Sequence, residues 1–138
     1  MHRITLALLC ALPACTPVSL LERRITVTAD QFQDLPVPLG FRLNERHHES
    51  HSLSVGSYRY GSFLYSGRLS VPEVSNYLLE RMPQHAWSLA SRDGVSTESQ
   101  RLVFQRDDFS ADYRIERVES TTRIRVEVRT NVEPLAKR

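Results

Sequence analysis

A chain of 138 residues, 41% hydrophobic and 25% charged, has room for one ordinary globular domain plus extensions. Its formal charge of +2 gives no concentrated basic face of the kind that phosphate backbones demand, so nucleic acid is set aside as a partner. The two cysteines, Cys10 and Cys15, both fall in the leader region. The domain therefore holds no disulfide and no thiolate metal site, and its stability must come from an apolar core.

The chain opens MHRITLALLCALPACTPV. A short basic stretch (the Met1 amine and Arg3) precedes an apolar run from Ile4 to Leu12. That run is shorter than the roughly 20 residues a membrane-spanning helix needs, and it has the length of an export-signal core. Leu12-Pro13-Ala14-Cys15 then resembles the lipobox of bacterial lipoproteins, with Pro13 departing from the small or hydroxyl residue usual at its position. The resemblance implies that residues 1–14 are a signal peptide, that the Cys15 thiol is lipidated, and that the protein meets a membrane through this anchor. Each buried CH₂ of such an anchor contributes about 0.8 kcal/mol. Thr16 stands after the cysteine in place of Asp, which is similar to the outer-membrane sorting pattern of Gram-negative lipoproteins. The expected location is the outer membrane, facing the periplasm. A plain secretory leader with Cys15 incidental is the alternative, and so is a buried N-terminal helix. The switch to polar sequence after Leu21 argues against the second.

Residues 15–35 read as a tether, with a short strand over Arg23 to Thr28 where Ile25 and Val27 alternate with threonines. Leu35-Pro36-Val37-Pro38 forces an extended path. The boundary is placed there, giving an α+β domain over 36–131 and a tail over 132–138. Leu39, Phe41 and Leu43 alternate as a first strand or edge. Asn44 to Gly56 is the most polar stretch and reads as a solvated loop. It holds His47, His48 and His51. His47 and His51 are four apart, which on a helix puts two imidazoles on one face as metal sites require, and Glu45 and Glu49 could add oxygen ligands. No apolar stripe supports a helix there. A metal-binding protein built on this loop is the alternative function.

Tyr58 to Leu69 predicts a full strand. Tyr58 and Tyr60 share one face; Phe63, Tyr65, Gly67 and Leu69 share the other. The change in apolar parity near Gly61-Ser62 predicts a bulge or bend, and Gly67 is expected to let a helix approach closely. Ser70 and Glu73 form a capping box, and Pro72 fits the first turn. Val71, Val74, Leu78 and Met82 follow helical spacing, widened by Tyr77 and Leu79, until Pro83 stops the helix. Trp87 and Leu89 open the next strand. Further strands are expected over Arg101 to Arg106, over Ala111 to Glu116 and over Arg123 to Arg129, with turns at Arg92-Asp93-Gly94, Asp107-Asp108 and Glu119-Ser120-Thr121. The last two strands alternate cleanly between an apolar and a polar face. The expected fold is α+β, one helix packed on a curled antiparallel sheet of four to six strands, in the order β-α-β-β-β-β.

Tyr65-Ser66-Gly67, a helix bearing Tyr77 and Met82, and the aromatic strand start at His85-Ala86-Trp87 together resemble a group of small envelope lipoproteins of bacteria. One helix on an antiparallel sheet is also similar in architecture to accessory lipoproteins of outer-membrane assembly machinery. Nothing in the chain matches a hydrolase elbow, a zinc-protease helix, a P-loop or a dinucleotide-binding loop. The expected function is a membrane-anchored, non-enzymatic interaction or assembly-accessory module without a cofactor, meeting an envelope protein. Its candidate contacts are Arg114, Arg123, Arg125 and Arg129 on the wet sheet face, with Tyr58 and Tyr60 as exposed aromatics. Cross-strand ion pairs with Glu116 and Glu127 are the plainer use of those arginines.

Overall fold

The structure, a computed structural model, describes residues 31–46, 48–94 and 96–131. The leader, Cys15, the Arg23 to Thr28 strand, His47 and the tail 132–138 lie outside the described residues.

Helix α1, Val71–Arg81, forms where its local chemistry places it. Ser70 accepts from the Glu73 N–H while the Glu73 carboxylate accepts from the Ser70 N–H, so the capping box closes in both directions. Met82–His85 continues as a 3-10 turn containing Pro83, and Ala86 leaves it in the left-handed region. Val71, Val74, Leu78 and Met82 are fully buried, and Tyr77 and Leu79 pack at the edge of the core.

Seven strands form one antiparallel sheet: β1 Arg42–Leu43, β2 His51–Val55, β3 Tyr58–Gly67, β4 Ser88–Asp93, β5 Ser99–Arg106, β6 Phe109–Val118 and β7 Thr121–Thr130. The spatial order is β1-β3-β7-β6-β5-β4, with β2 beside β3 on the same flank as β1. Among the described residues the order along the chain is thus β-β-β-α-β-β-β-β. The helix and the four strands after it agree with the expected order, but three strands precede the helix and the sheet is larger than four to six. The missing strand is β2, expected as loop. Leu53 and Val55 alternate with Ser52 and Ser54 there, and Gly56 takes a positive φ at the turn into β3.

No bulge interrupts β3. Every residue from Tyr60 to Gly67 pairs with a successive residue of β7. The parity change reflects aromatics on both faces of one regular strand, with Phe63 and Tyr65 inward and Tyr58 and Tyr60 outward. Leu89 is likewise not buried: β4 is an edge strand, exposed throughout, with an irregular register between Leu89 and Ser91. Such irregularity, with Arg92 and Asp93, blunts an edge against pairing with other chains.

The inner face of the sheet is covered by two layers. Helix α1 packs over β5 and β6. Residues 32–43 form a strap beside it: Leu35 is buried, and Phe32, Val37, Phe41 and Leu43 pack against the core. A Pro-rich segment cannot join a ladder, so its carbonyls need other donors. They find them in side chains. Trp87 Nε1 donates to Asp34 O at 2.9 Å, Tyr77 OH to Val37 O at 3.2 Å and Tyr113 OH to Pro36 O at 3.4 Å. Burial pushes the Tyr65 hydroxyl up to about 12 and raises Tyr113 well above the ordinary phenol value, which keeps both phenols neutral. The domain boundary at 35/36 therefore falls inside the packed body, because Phe32, Asp34 and Leu35 belong to it. The strap also corrects the role of Gly67. A Cβ there would lie 2.5 Å from the Phe41 ring, so the close neighbour is the strap rather than the helix.

Candidate functional site

The outer face of the sheet carries the side chains that the fold does not bury. On β5, β6 and β7 the outward positions alternate with the core positions, and register arranges them in rows. Arg101, Arg114 and Arg125 pair in register across three strands. The next row holds Val103, Asp112 and Glu127. Three like charges side by side repel, and the acidic row offsets this. Asp112 meets Arg101 at 2.7 Å and Arg114 at 3.4 Å, Glu127 meets Arg114 at 4.0 Å, and Glu49 caps Arg125 at 3.0 Å. The hydrogen bond from Arg125 holds the Glu49 carboxyl below the usual carboxylate range. Such exposed pairs contribute little to stability, with a median near 0–1 kcal/mol. Of the expected cross-strand pairs only Arg114 with Glu127 forms, at 4.0 Å; Arg125 pairs with Glu49 instead, and Glu116 makes no ion pair among the described residues. Arg123 and Arg129 make no ion pair among the described residues.

The hairpin of β2 and β3 supplies an apolar surface beside these charges. Leu53 pairs with Tyr60 and Val55 with Tyr58, so all four side chains share one face. Val55 is 64% exposed, Leu53 45%, Tyr58 38% and Tyr60 36%. Tyr60 also stands opposite Arg129 of β7, and a groove of 350 Å³ runs on from it past Arg129, Glu127, Asp112 and Arg114. The expected aromatic contacts are therefore exposed together, joined by two aliphatic residues that the polar stretch concealed. The alternation of His51, Leu53 and Val55 was the signal that could have found them.

Among the described residues His48 and His51 do not assemble into a metal site. His51 begins β2, a strand and not a helix, and lies against the Tyr60 ring at 5.6 Å. His48 is exposed, 3.7 Å from Glu49, whose other oxygen serves Arg125. Among the described residues no three histidine, cysteine, aspartate or glutamate side chains lie close enough to hold a metal ion.

One titratable cluster lies under the strap. Asp34 receives Arg59 through two hydrogen bonds, at 2.7 and 3.0 Å, and Arg106 at 2.5 Å. Arg106 also donates to His85 O at 3.1 Å. The guanidinium of Arg59 lies 4.1 Å from the Phe32 ring centre, and that of Arg106 lies 4.6 Å from Trp87. Burial pushes the Asp34 carboxyl up, but the two arginines outweigh it and hold it below the ordinary range. Both carboxylate oxygens are occupied, so the cluster ties the strap to the sheet and offers no free group for chemistry. No local pattern in the sequence marks it, since its members lie 25 and 72 residues apart.

Comparison with protein-family models, with curated proteins and with solved structures finds no match to this chain. No described helix is long and apolar enough to cross a membrane.

Proposed function

We propose that this protein is a lipid-anchored, non-enzymatic module of the bacterial envelope, held by Cys15 at the outer membrane on its periplasmic side, which meets an envelope protein through the outer face of its sheet. The observation that carries the reading is the contiguous exposure of Leu53, Val55, Tyr58 and Tyr60 beside Arg129 and the groove behind it. Exposed apolar side chains rimmed by polar ones mark interaction surfaces. Tyrosine and arginine are the residues on which binding energy concentrates at such surfaces. Phe32, near the start of the described residues, lies against Arg59 on the opposite face of the same hairpin.

Two measurements test this. Cys15→Ala moves the protein from the membrane fraction to the soluble fraction; retention in the membrane overturns the anchor. A photo-crosslinking residue at Tyr60 gives one discrete adduct in intact cells, while the same residue at exposed Glu80 on the helix gives none. Equal crosslinking from both positions, or none from Tyr60, overturns the contact face.

A further inference from the structure

The outer face changes character at the end of β3 away from the hairpin tip. Arg42 on β1 and Arg123 on β7 pair in register with the same residue, Ser66, one from each side. Neighbouring strands lie about 4.8 Å apart, so the two arginines flank one serine at close quarters. Arg68 follows directly after β3, near Thr121 at the start of β7. All three arginines are exposed. An open cleft of 600 Å³ lies here, lined by Arg42, Arg68, Ser66 and Thr121 with Leu39 and Gly40 of the preceding turn.

Arg46 and Arg129 are also unpaired among the described residues, but here three such arginines stand together at one end of the sheet. Arg59, Arg101, Arg106, Arg114 and Arg125 all form ion pairs. Arg42, Arg68 and Arg123 form neither an ion pair nor a side-chain hydrogen bond among the described residues. The acidic residues around them do not neutralise them. Glu49 is bonded to Arg125, Glu73 to the Ser70 cap, and Glu116 faces Arg123 in register without closing an ion pair. Positive charge therefore concentrates at a concave surface that also offers the Ser66 hydroxyl, while that of Thr121 donates to Val118 O at 3.1 Å. No carboxylate lines the cleft. Guanidinium groups match oxyanions in geometry as well as charge. A carboxylate presents two oxygens, which one guanidinium fork satisfies; a phosphate presents three acceptor oxygens to separate donors, here Arg42 of β1, Ser66 of β3 and Arg68 just after it. Leu39, 97% exposed at the rim, gives an apolar neighbour to anything bound there.

The geometry points to this cleft as a binding site for a phosphate group, carried either by free phosphate or by the headgroup of an anionic lipid. The site is lined by residues 39, 40, 42, 66–69 and 121, with Arg123 beside it in register with Ser66, and it does not depend on the lipid anchor or on the hairpin contact.

The test follows the backbone amides of Ser66, Arg68 and Thr121 by NMR on the full chain in neutral detergent micelles. One arm titrates inorganic phosphate against chloride at equal ionic strength. A second replaces part of the detergent with phosphatidic acid, with phosphatidylcholine as the control. Saturable shifts at these amides with inorganic phosphate identify free phosphate as a sufficient ligand. Shifts with phosphatidic acid alone identify the lipid headgroup. In either case Arg42→Gln/Arg68→Gln weakens binding by about tenfold or more, while Arg129→Gln at the other end of β7 leaves it unchanged. Both positions are exposed, so amide spectra away from the cleft report that the variants stay folded. The proposal is overturned if neither arm shifts these amides, if the shifts survive the double substitution, or if Arg129→Gln removes them equally.

Discussion

Arg59 and Arg106 stand at one end of the sheet, under Phe32 and Trp87, and share the carboxylate of Asp34. Arg42, Arg68 and Arg123 stand at the other end, exposed and sharing nothing. The side chain is the same and the environment differs. A guanidinium taken partly out of water must be paired, because an uncompensated charge there costs several kcal/mol. An exposed one keeps its hydration and can stand alone. Pairing therefore separates the arginines that the fold uses from those it leaves available, and only the second kind can answer to an external anion.

The sharpest way to break this comparison is to remove the shared carboxylate. Asp34→Ala leaves two guanidiniums facing each other and releases the strap. The side chains retain about a fifth of their exposure, so the expected loss is about 2 kcal/mol, less than the ~3–5 kcal/mol for a fully buried pair. Urea unfolding measures it, and a change below about 0.5 kcal/mol would show that the cluster does not hold the strap. The pH dependence has a definite sign. The folded-state pKa of Asp34 is lowered, so its contribution is complete above the unfolded carboxylate value of about 4 and fades as pH falls through the lower folded value. Wild type should lose stability below about pH 4 more steeply than Asp34→Asn. Parallel acid limbs would refute that assignment.

A smaller effect tests the open end. Ser70 caps α1 beside Leu69, which lines the arginine cleft. Ser70→Ala should cost about 1 kcal/mol in the same unfolding experiment. No change would mean that packing on the sheet alone sets the start of the helix. The smallest expected effect belongs to the arginines themselves. Arg68→Gln should alter stability by less than about 0.5 kcal/mol, with stabilisation the favoured sign because a like-charge repulsion is relieved. A loss of more than about 1 kcal/mol would make Arg68 a structural residue and dissolve the contrast with Arg59.

Helix α1 was legible because each of its signals acts within a turn or two: Ser70 on Glu73, Pro72 in the first turn, Pro83 at the stop. Strands β6 and β7 were legible because Ala111, Tyr113 and Ile115, and Ile124, Val126 and Val128, alternate with charges. Strand β2 carried a weaker form of the same alternation, masked by the histidines around it. The strap carried no periodic signal at all. Its donors, Tyr77, Trp87 and Tyr113, lie 40 to 77 residues downstream of the carbonyls they satisfy. Of the candidate contacts, Tyr58 and Tyr60 could be placed on one face by parity, but nothing local showed that Leu53 and Val55 complete their surface.

What the sequence determined by itself was everything governed by neighbours along the chain: the capped helix, the alternating strands, the turn residues, and the composition that leaves stability to an apolar core. What the tertiary structure alone decided was partnership across distance. It assigned Asp34 to Arg59 and Arg106, set the Pro-rich strap over the sheet, and brought Arg42, Ser66 and Arg123 into one row while leaving the arginines unpaired. Helix and strand patterns arise from periods of 3.6 and 2 residues and are written locally. Register and charge pairing depend on which strands meet, and that is settled only when the whole core closes.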